Sequence, residues 1–471
     1  MSVKLPDLPL DILLELAKQL DLSDSLHLAA TCTACAVILH SASFWIESLH
    51  RLENIHQRPI PCPPGTDITS LSLDALRNMA VHAYKLRKNW ESDSPLLAKT
   101  RSFKIADEGY VSDVFAIEGT HIVVTVLRHG LACWSTISGE CLGRCDLDSG
   151  KDQNWPLTPT SRSSVAQFAG GCSLGFVCYD HGGKQPTLGV SVISVYHRDP
   201  EAITVSLTFS RNWPFPDSMM IQCIIVNENA VGVVMFNRHK DDDPSCLLYC
   251  RIAEPQELHC LALDIQPASE PRFSGVGIGG DFVVCTENSG PSVEFVHTTP
   301  THQHSARLDI PASRPDRRTK FIFEDCHMRP PTYGIINVTL RLPDDELAHH
   351  VLFWPAEYSP ARDSTHSSLT VSPVCSYQHT RFINHIVVSS SGTSVLVRDL
   401  KEYVLLQYIP GTTPHVESRR LPIPAKAMRL REYDLVALDD RLGVVYLFRK
   451  SRNSRSNPEE SGTRFTVFEF A

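Results

Sequence analysis

Short apolar strands recur along most of this chain, from residue 121 to near its end, at an interval of about fifty residues. The three clearest copies combine an apolar run, a turn with Gly or Asp, and a second apolar run, at 121–134, 384–399 and 433–448. Weaker copies begin near residues 173, 229, 280 and 334. Repeated units of this kind bury their apolar residues against one another. The spacing therefore predicts an all-β propeller of about seven blades, with six or eight possible if some copies are too divergent to recognise.

Two other architectures could use the same short strands. A parallel βαβ array would need helical segments of about ten or more residues between the strands, and the sequence after Trp90 has none. Two stacked β-sandwiches would not require an even repeat. Trp134-Ser135 and Arg398-Asp399 stand where a WD-type repeat has its Trp-Asp pair, but its other features are absent, so the sequence predicts only the architecture.

The first fifty residues have a different pattern, in which apolar residues recur at the three- and four-residue spacing of short amphipathic helices. Three helices are predicted to begin near Pro9, near Ser23 or Asp24, and near Ser41 or Ser43. A unit of this size is near the lower limit for independent folding. We therefore expect part of its apolar surface to contact a partner.

Residues of about 4–50 include an initial Leu-Pro, an apolar helix, a Leu-rich stretch around an acidic turn, small residues with a Cys, and a closing Trp. In chain order they are Leu5-Pro6, Ile12-Leu13, Leu20, Asp24 to Leu28, Ala29, Cys32 and Trp45. This combination resembles the F-box motif. One departure is Thr33-Ala34-Cys35, which stands where a Trp or Arg is common after the Cys.

The resemblance implies docking to the Skp adaptor, and through it to a cullin scaffold, in a ubiquitin ligase. The adaptor-binding residues that it implies are Leu5, Pro6, Leu8, Pro9, Ile12, Leu13, Leu16, Leu20 and Leu28, with Trp45 helping to close the surface. The β domain would then bind a protein client whose identity the sequence does not give. The chain itself would carry out no chemistry. The alternative is that the helices are only a cap packed on the following domain.

A stiff connector is predicted at 58–65, Arg-Pro-Ile-Pro-Cys-Pro-Pro-Gly, because this segment cannot continue a helix. A helix capped by Thr69 or Ser72 and ending near Trp90 follows it. The predicted fold class is α+β and multidomain. It has a small three-helix F-box-like unit at 1–55, a Pro-rich linker and helix at 56–100, and the propeller at 101–471.

Charge and hydropathy narrow the function classes. The net charge of −9 argues against nucleic acid, which requires a clustered basic surface. No apolar run approaches the ~18–20 residues that span a membrane, and the N-terminus lacks the pattern of a secretory signal. The 15 cysteines are therefore interpreted as reduced thiols of a soluble cytoplasmic or nuclear protein.

No catalytic, cofactor or metal site is predicted. Cys32 and Cys35 form a lone C-x-x-C without the second ligand pair of a zinc site, so core packing is favoured over a metal or redox role. Asp439-Asp440 is interpreted as part of a turn, where Asp bonds its own backbone. Two alternatives stay open: a non-ligase F-box scaffold, and a propeller enzyme whose site is assembled from distant blades. Residues that bind a partner are expected in the loop insertions at 148–160, 238–244, 302–318 and 363–372.

Overall fold

In the computed structural model, the described residues fall into many short segments. They are 5–54, 58–105, 111–127, 130–147, 165–168, 170–180, 187–199, 202–215, 219–227, 229–237, 245–263, 273–278, 281–287, 292–298, 303–309, 322–328, 335–341, 346–353, 370–378, 385–389, 391, 393–398, 402–409, 415–424, 435–449 and 463–471. The insertions predicted at 148–160 and 238–244 lie outside these residues, as do 302, 310–318 and 363–369 of the other two.

Helices occupy the beginning of the chain, as predicted. They are α1 (Leu10–Ala17), α2 (Leu22–Thr31), α3 (Thr33–Ala36), α4 (Ala42–Asn54) and α5 (Leu73–Glu91), with 3₁₀ turns at Leu5–Asp7, Val37–His40 and Ile68–Ser70. Asp21 caps α2, since its carboxylate accepts a hydrogen bond from the backbone N–H of Leu22 at 2.9 Å. Ser72, one of the two predicted caps, accepts from the N–H of Ala75 and begins α5.

Strands make up the described chain from Lys99 onward. They are β1 (Lys99–Ile105), β2 (Val111–Ala116), β3 (Ile122–Leu127), β4 (Gly130–Ser135), β5 (Cys141–Asp146), β6 (Val165–Phe168), β7 (Gly171–Asp180), β8 (Thr187–Asp199), β9 (Ala202–Pro214), β10 (Met219–Val226), β11 (Ala230–Asn237), β12 (Cys246–Arg251), β13 (His259–Ala262), β14 (Phe273–Ile278), β15 (Asp281–Glu287), β16 (Ser292–Thr298), β17 (Gln303–Asp309), β18 (Ile322–Met328), β19 (Ile335–Arg341), β20 (Glu346–Phe353), β21 (Thr370–Gln378), β22 (His385–Val388), β23 (Ser394–Arg398), β24 (Tyr403–Ile409), β25 (His415–Leu421), β26 (Leu435–Asp439), β27 (Val444–Arg449) and β28 (Thr463–Glu469).

The described strands pair into seven four-stranded antiparallel sheets, and each of the first six uses four consecutive strands from β2 onward. The seventh joins β26, β27 and β28 to β1, which pairs along its whole length with β28, from Lys99 opposite Glu469 to Ile105 opposite Thr463. The first strand of the seventh sheet contacts the first strands of both the sixth and the first sheets. This is a propeller-like β domain, and the predicted β architecture is confirmed.

The phase of the repeat differs from the prediction. The starts predicted near 121, 173, 229, 280 and 334 fall on the second strand of a sheet, at β3, β7, β11, β15 and β19. Those predicted near 384 and 433 fall on the first strand, at β22 and β26. The second and third strands are mostly buried where burial is described, in β3, β4, β11, β12, β23 and β24, whereas the fourth strands β5, β13 and β25 are largely exposed or half-buried. The pattern therefore locates an apolar hairpin without showing which pair of strands forms it.

The apolar cores lie inside the helical segment and between neighbouring sheets. The buried residues of the helical core are Leu13, Ala17, Leu22, Cys35, Ile38, Phe44, Trp45, Leu49, Ile60, Cys62, Ile68, Leu76 and Ala80. This core crosses the boundary predicted at 55–56, because it contains residues of the connector and of α5, and α5 contacts α4. We call residues 5–91 the helical unit. None of the helices that the described residues form is long and apolar enough to cross a membrane.

Candidate functional site

Exposed large apolar side chains are concentrated at the start of the chain. Of nine such side chains among the described residues, five lie before residue 40: Leu5, Leu10, Ile12, Leu16 and Val37, each 40–44% exposed. We call these five the N-terminal apolar surface. The turn that carries Leu5 contacts α3, and the turn that carries Val37 contacts α1, so the elements are neighbours. Within this set Ile12 and Leu16 share one face of α1, and an exposed apolar face of this kind is typical of an interaction site.

The geometry of α1 explains why this surface is exposed. Leu13 and Ala17, four residues apart, face the helical core and are each 2% exposed. Ile12 and Leu16 are also four residues apart, but each precedes a buried residue by one position, which turns it about 100° away around the helix axis. The helix therefore has more apolar residues than a single buried face accommodates, and the second row remains in solvent.

The predicted adaptor-binding residues divide into three groups. Leu5, Pro9, Ile12 and Leu16 are exposed, and Leu8, Leu20 and Leu28 are half-buried. Leu13 and Trp45 lie in the helical core, and Trp45 is fully buried with its indole N–H donated to the carbonyl oxygen of Leu39 at 2.9 Å. The side chain of Pro6 lies outside the described atoms. Leu10 and Val37 are exposed but were not among the predicted adaptor-binding residues. The apolar spacing of α1 includes Leu10, whereas Val37 lies outside that helix.

Arg51 fixes the end of α1. This side chain on α4 donates hydrogen bonds to the carbonyl oxygens of Lys18 and Leu20, the latter at 2.6 Å. A cation at the C-terminus of a helix satisfies carbonyl groups that have no partner inside the helix and complements the helix dipole. The orientation of α1, and of the apolar residues that it carries, is therefore set by α4.

The C-terminal end of α5 is part of the core of the β domain. Leu86 and Trp90 pack in a buried cluster with side chains of the sixth and seventh sheets, including Leu405 and Leu447. Gly443, in the turn between β26 and β27, has φ +67°, and a Cβ atom there would overlap the end of the Leu86 side chain. The contact between α5 and this turn therefore depends on a glycine.

A second, polar contact joins the connector to the same turn. The guanidinium of Arg441 is paired with the carboxylate of Glu118, in the turn between β2 and β3, and donates to the carbonyl oxygen of Ile60 at 3.1 Å. Both charged side chains are buried. Burial alone would lower the pKa of Arg441, but the attraction of Glu118 outweighs it and holds this pKa above its usual value.

Asp439 organises the turn from within. One carboxylate oxygen accepts from the N–H groups of Arg441 and Leu442, at 3.0 and 3.1 Å, and the other accepts from the N–H of Gly119 at 3.0 Å. Burial, followed by repulsion from Asp440, raises the pKa of Asp439 to about 8. We call Glu118, Asp439, Asp440 and Arg441 the junction cluster.

Further hydrogen bonds join α5 to its neighbours. His82 lies with Nε2 3.1 Å from the carbonyl oxygen of Leu442, and Asn89 bonds the backbone of Leu96 in both directions, at 2.6 and 2.7 Å. On the opposite side, Arg87 pairs with Asp21 at 2.9 Å. Contacts from 58 to 91 therefore connect the N-terminal apolar surface to the β domain through buried groups.

The described part of the chain contains no group of three or more His, Cys, Asp or Glu side chains placed to hold a metal ion. The junction cluster has three carboxylates, but the contacts of Asp439 are backbone N–H groups and the partner of Glu118 is a guanidinium. These contacts are those of a structural network.

Comparison with known proteins gives structural matches only. No family model and no curated protein matches the sequence. The solved structures that it resembles include the β-propeller domain of Cps50 (Swd1) from Myceliophteria thermophila, at 11% identity and a TM-score of 0.43 over 80% of this chain and 100% of that one. The WD40 domain of SCAP from fission yeast matches at 9% identity and a TM-score of 0.33, over 74% of this chain and 82% of that one. A prolyl endopeptidase matches at 10% identity and a TM-score of 0.35, over 74% of this chain and 46% of that one. The fold assignment above rests on the strand pairing.

Proposed function

We propose that this protein is a substrate-recognition subunit of a Skp–cullin–F-box ubiquitin ligase. The N-terminal apolar surface would bind the Skp adaptor, and the β domain would bind a protein client. The associated ligase would transfer ubiquitin, and the receptor would contribute proximity by raising the effective concentration of the client.

The observation that carries the proposal is the exposed apolar row of α1 in a unit whose own core is complete. Leu13 and Ala17 stabilise the helical unit, whereas Ile12 and Leu16 contribute nothing to its core and remain in water. Exposing two large apolar side chains on one helical face is unfavourable unless a partner covers them. The match of these positions to the F-box pattern supports the Skp adaptor as that partner.

The test is binding of the full chain to purified Skp adaptor, with Ile12→Asp and Leu16→Asp combined. Both side chains are exposed, so the variant should fold, but two carboxylates would be desolvated on binding. We expect the affinity to fall by more than about 100-fold, which corresponds to roughly 2.7 kcal/mol or more.

The matched control is Leu96→Asp, which places a charge at an exposed leucine outside the N-terminal apolar surface. It should bind the adaptor like the wild type. Leu13→Asp is unsuitable, because it would bury a charge in the helical core and remove binding by unfolding the unit. Wild-type affinity of the double variant would refute the proposal, and adaptor binding without ubiquitination of any client would favour the non-ligase scaffold.

A further inference from the structure

Two cysteines of the helical unit have very different exposure although they are three residues apart. Cys32 lies between α2 and α3 with an extended backbone, at φ −161° and ψ 163°, and its side chain is partly exposed. Cys35, in α3, is 0% exposed and belongs to the helical core. Both are free thiols. A reagent in solution can therefore reach the first sulfur but not the second.

The local backbone keeps the two residues close. The carbonyl oxygen of Cys32 accepts the hydrogen bond from the N–H of Ala36 at 3.0 Å, so Cys32 begins the helical turn that contains Cys35. Thr33 and Ala34, the two residues between them, are helical, and the rise and radius of an α-helix place Cα atoms three residues apart at about 5 Å. This lies within the range of about 4.4–6.8 Å that a disulfide spans, and the bond then requires the Cβ atoms to come to about 3.5–4.5 Å from each other.

The environment also separates the chemical roles of the two thiols. Hydrogen bonding to Cys35, first from its backbone and then from its thiol, lowers the pKa of Cys32. Burial raises the pKa of Cys35. The partly exposed Cys32 differs in this from buried thiols of the β domain, since burial raises the pKa of Cys133 and of Cys223 to about 12. Cys32 is thus the more readily ionised member of the pair and the one that solvent reaches.

We propose that Cys32 and Cys35 are a redox-modification site, at which exchange with a small disulfide such as glutathione disulfide forms an intramolecular disulfide. This inference does not depend on adaptor binding. The Cys32 thiolate attacks one sulfur of glutathione disulfide, forming a mixed disulfide and releasing one glutathione thiolate. The Cys35 thiol then loses its proton and attacks the Cys32 sulfur, which releases the second glutathione. Two protein thiols are oxidised and one glutathione disulfide is reduced, so reduced glutathione reverses the reaction.

Burial of Cys35 is compatible with this sequence, because its sulfur needs to reach only the sulfur of Cys32 beside it. Burial also protects Cys35 from direct attack by the reagent. The pair therefore combines an accessible attacking thiol with a protected resolving thiol on one helical turn.

The experiment incubates the full folded chain with glutathione disulfide, blocks free thiols in denaturant with N-ethylmaleimide, and analyses tryptic peptides by mass spectrometry. Both residues fall in one peptide, 19–51, which contains no other cysteine. In the wild type we expect this peptide to lose two hydrogen atoms and to take up no maleimide. Incubation with excess reduced glutathione should restore two maleimide-reactive thiols.

Two matched variants separate the roles. Cys35→Ser should accumulate glutathione on Cys32, because the resolving thiol is missing, and Cys32→Ser should leave Cys35 at least tenfold less reactive than Cys32. Cys35→Ala is the second variant if serine disturbs the core, and far-ultraviolet circular dichroism checks that each variant folds. A wild-type peptide that keeps two maleimide-reactive thiols, or that accumulates glutathione without losing two hydrogens, would overturn the proposal.

Discussion

Replacing Gly119 with Ala should separate the connector from the β domain. Gly119 lies in the turn between β2 and β3 with φ +69°, and its N–H donates to Asp439. A Cβ atom there would overlap the carbonyl group of Cys62 and lie 2.7 Å from the backbone nitrogen of Pro63, whereas carbon contacts are normally about 3.5–4.0 Å. Because the opposing atoms are backbone, no side-chain rotation can relieve the overlap.

The expected loss of stability has three parts. An alanine at positive φ costs about 1–2 kcal/mol. Displacing packed backbone costs about 1–3 kcal/mol, as overpacked cores do. If the turn moves away, the hydrogen bond to Asp439 or the one from Arg441 to Ile60 is lost, at about 0.5–1.5 kcal/mol. Gly119→Ala should therefore lower the free energy of unfolding by about 2.5–6.5 kcal/mol.

Gly65→Ala is the matched control. Gly65 has nearly the same backbone conformation, with φ +73°, but it is exposed at the end of the connector. This variant should show only the conformational cost of about 1–2 kcal/mol.

The assay is guanidinium unfolding followed by tryptophan fluorescence, together with amide hydrogen exchange over 58–72. Gly119→Ala should shift the unfolding midpoint more than Gly65→Ala and should accelerate exchange at the amide of Cys62, whose hydrogen bond lies within the connector. If the two variants differ by less than about 1 kcal/mol, the close packing of the turn on the connector is not what stabilises the junction.

The junction cluster leads to two further predictions. Arg441→Met should cost about 3–5 kcal/mol because it leaves the buried Glu118 carboxylate without its cation, and adding Glu118→Gln should recover part of this loss in the same unfolding assay. Burial raises the pKa of Asp439 from 3.8 to about 8 in the folded protein. Between these two pH values the native state therefore binds more protons than the unfolded state, and the free energy of unfolding should fall as the pH rises. Unfolding at pH 5, 7 and 9 should show this decrease in the wild type and a smaller one in Asp439→Asn, and equal pH dependence of the two proteins would contradict it.

Local patterns in the sequence were sufficient to predict the elements. The helical spacing around Leu13 and the cap at Ser72 were both visible, because each depends on residues within one or two turns. The hairpins were visible because apolar runs and turn residues alternate. The turn at Asp439 was also predicted from the tendency of Asp to bond nearby backbone, and its bonds to Arg441 and Leu442 agree.

The exposure of individual residues was not accessible from the same patterns. Ile12 and Leu13 are adjacent aliphatic residues on α1, and only the packing of the helical core decides that Leu13 is buried and Ile12 is not. The burial of Trp45 was not predictable either, since a large aromatic residue satisfies a motif position whether it faces a partner or the core. A motif match predicts which residues matter, and the packing then decides whether each one binds a partner or stabilises the fold.

The junction could not be predicted because its members are distant in sequence. Glu118 and Arg441 belong to opposite ends of the β domain, and closure of the ring brings the first and seventh sheets together. Asp439 and Asp440 look like surface turn residues in the sequence, yet both are buried, Asp439 against Gly119 and Asp440 against Ser391 and Thr393. Their burial is a property of the tertiary fold alone.

Ring closure also determines how adaptor binding should be measured. Since β1 is the outer strand of the seventh sheet, the helix that precedes it is brought to that sheet, where Leu86 and Trp90 enter the β-domain core. A fragment ending at residue 100 would contain only the first two residues of β1 and no other part of the β domain, and it would expose both of these side chains to solvent. Exposed apolar residues of that size promote nonspecific association. Binding by such a fragment would therefore not distinguish the N-terminal apolar surface from the uncovered end of α5, whereas the full chain with Ile12→Asp and Leu16→Asp does.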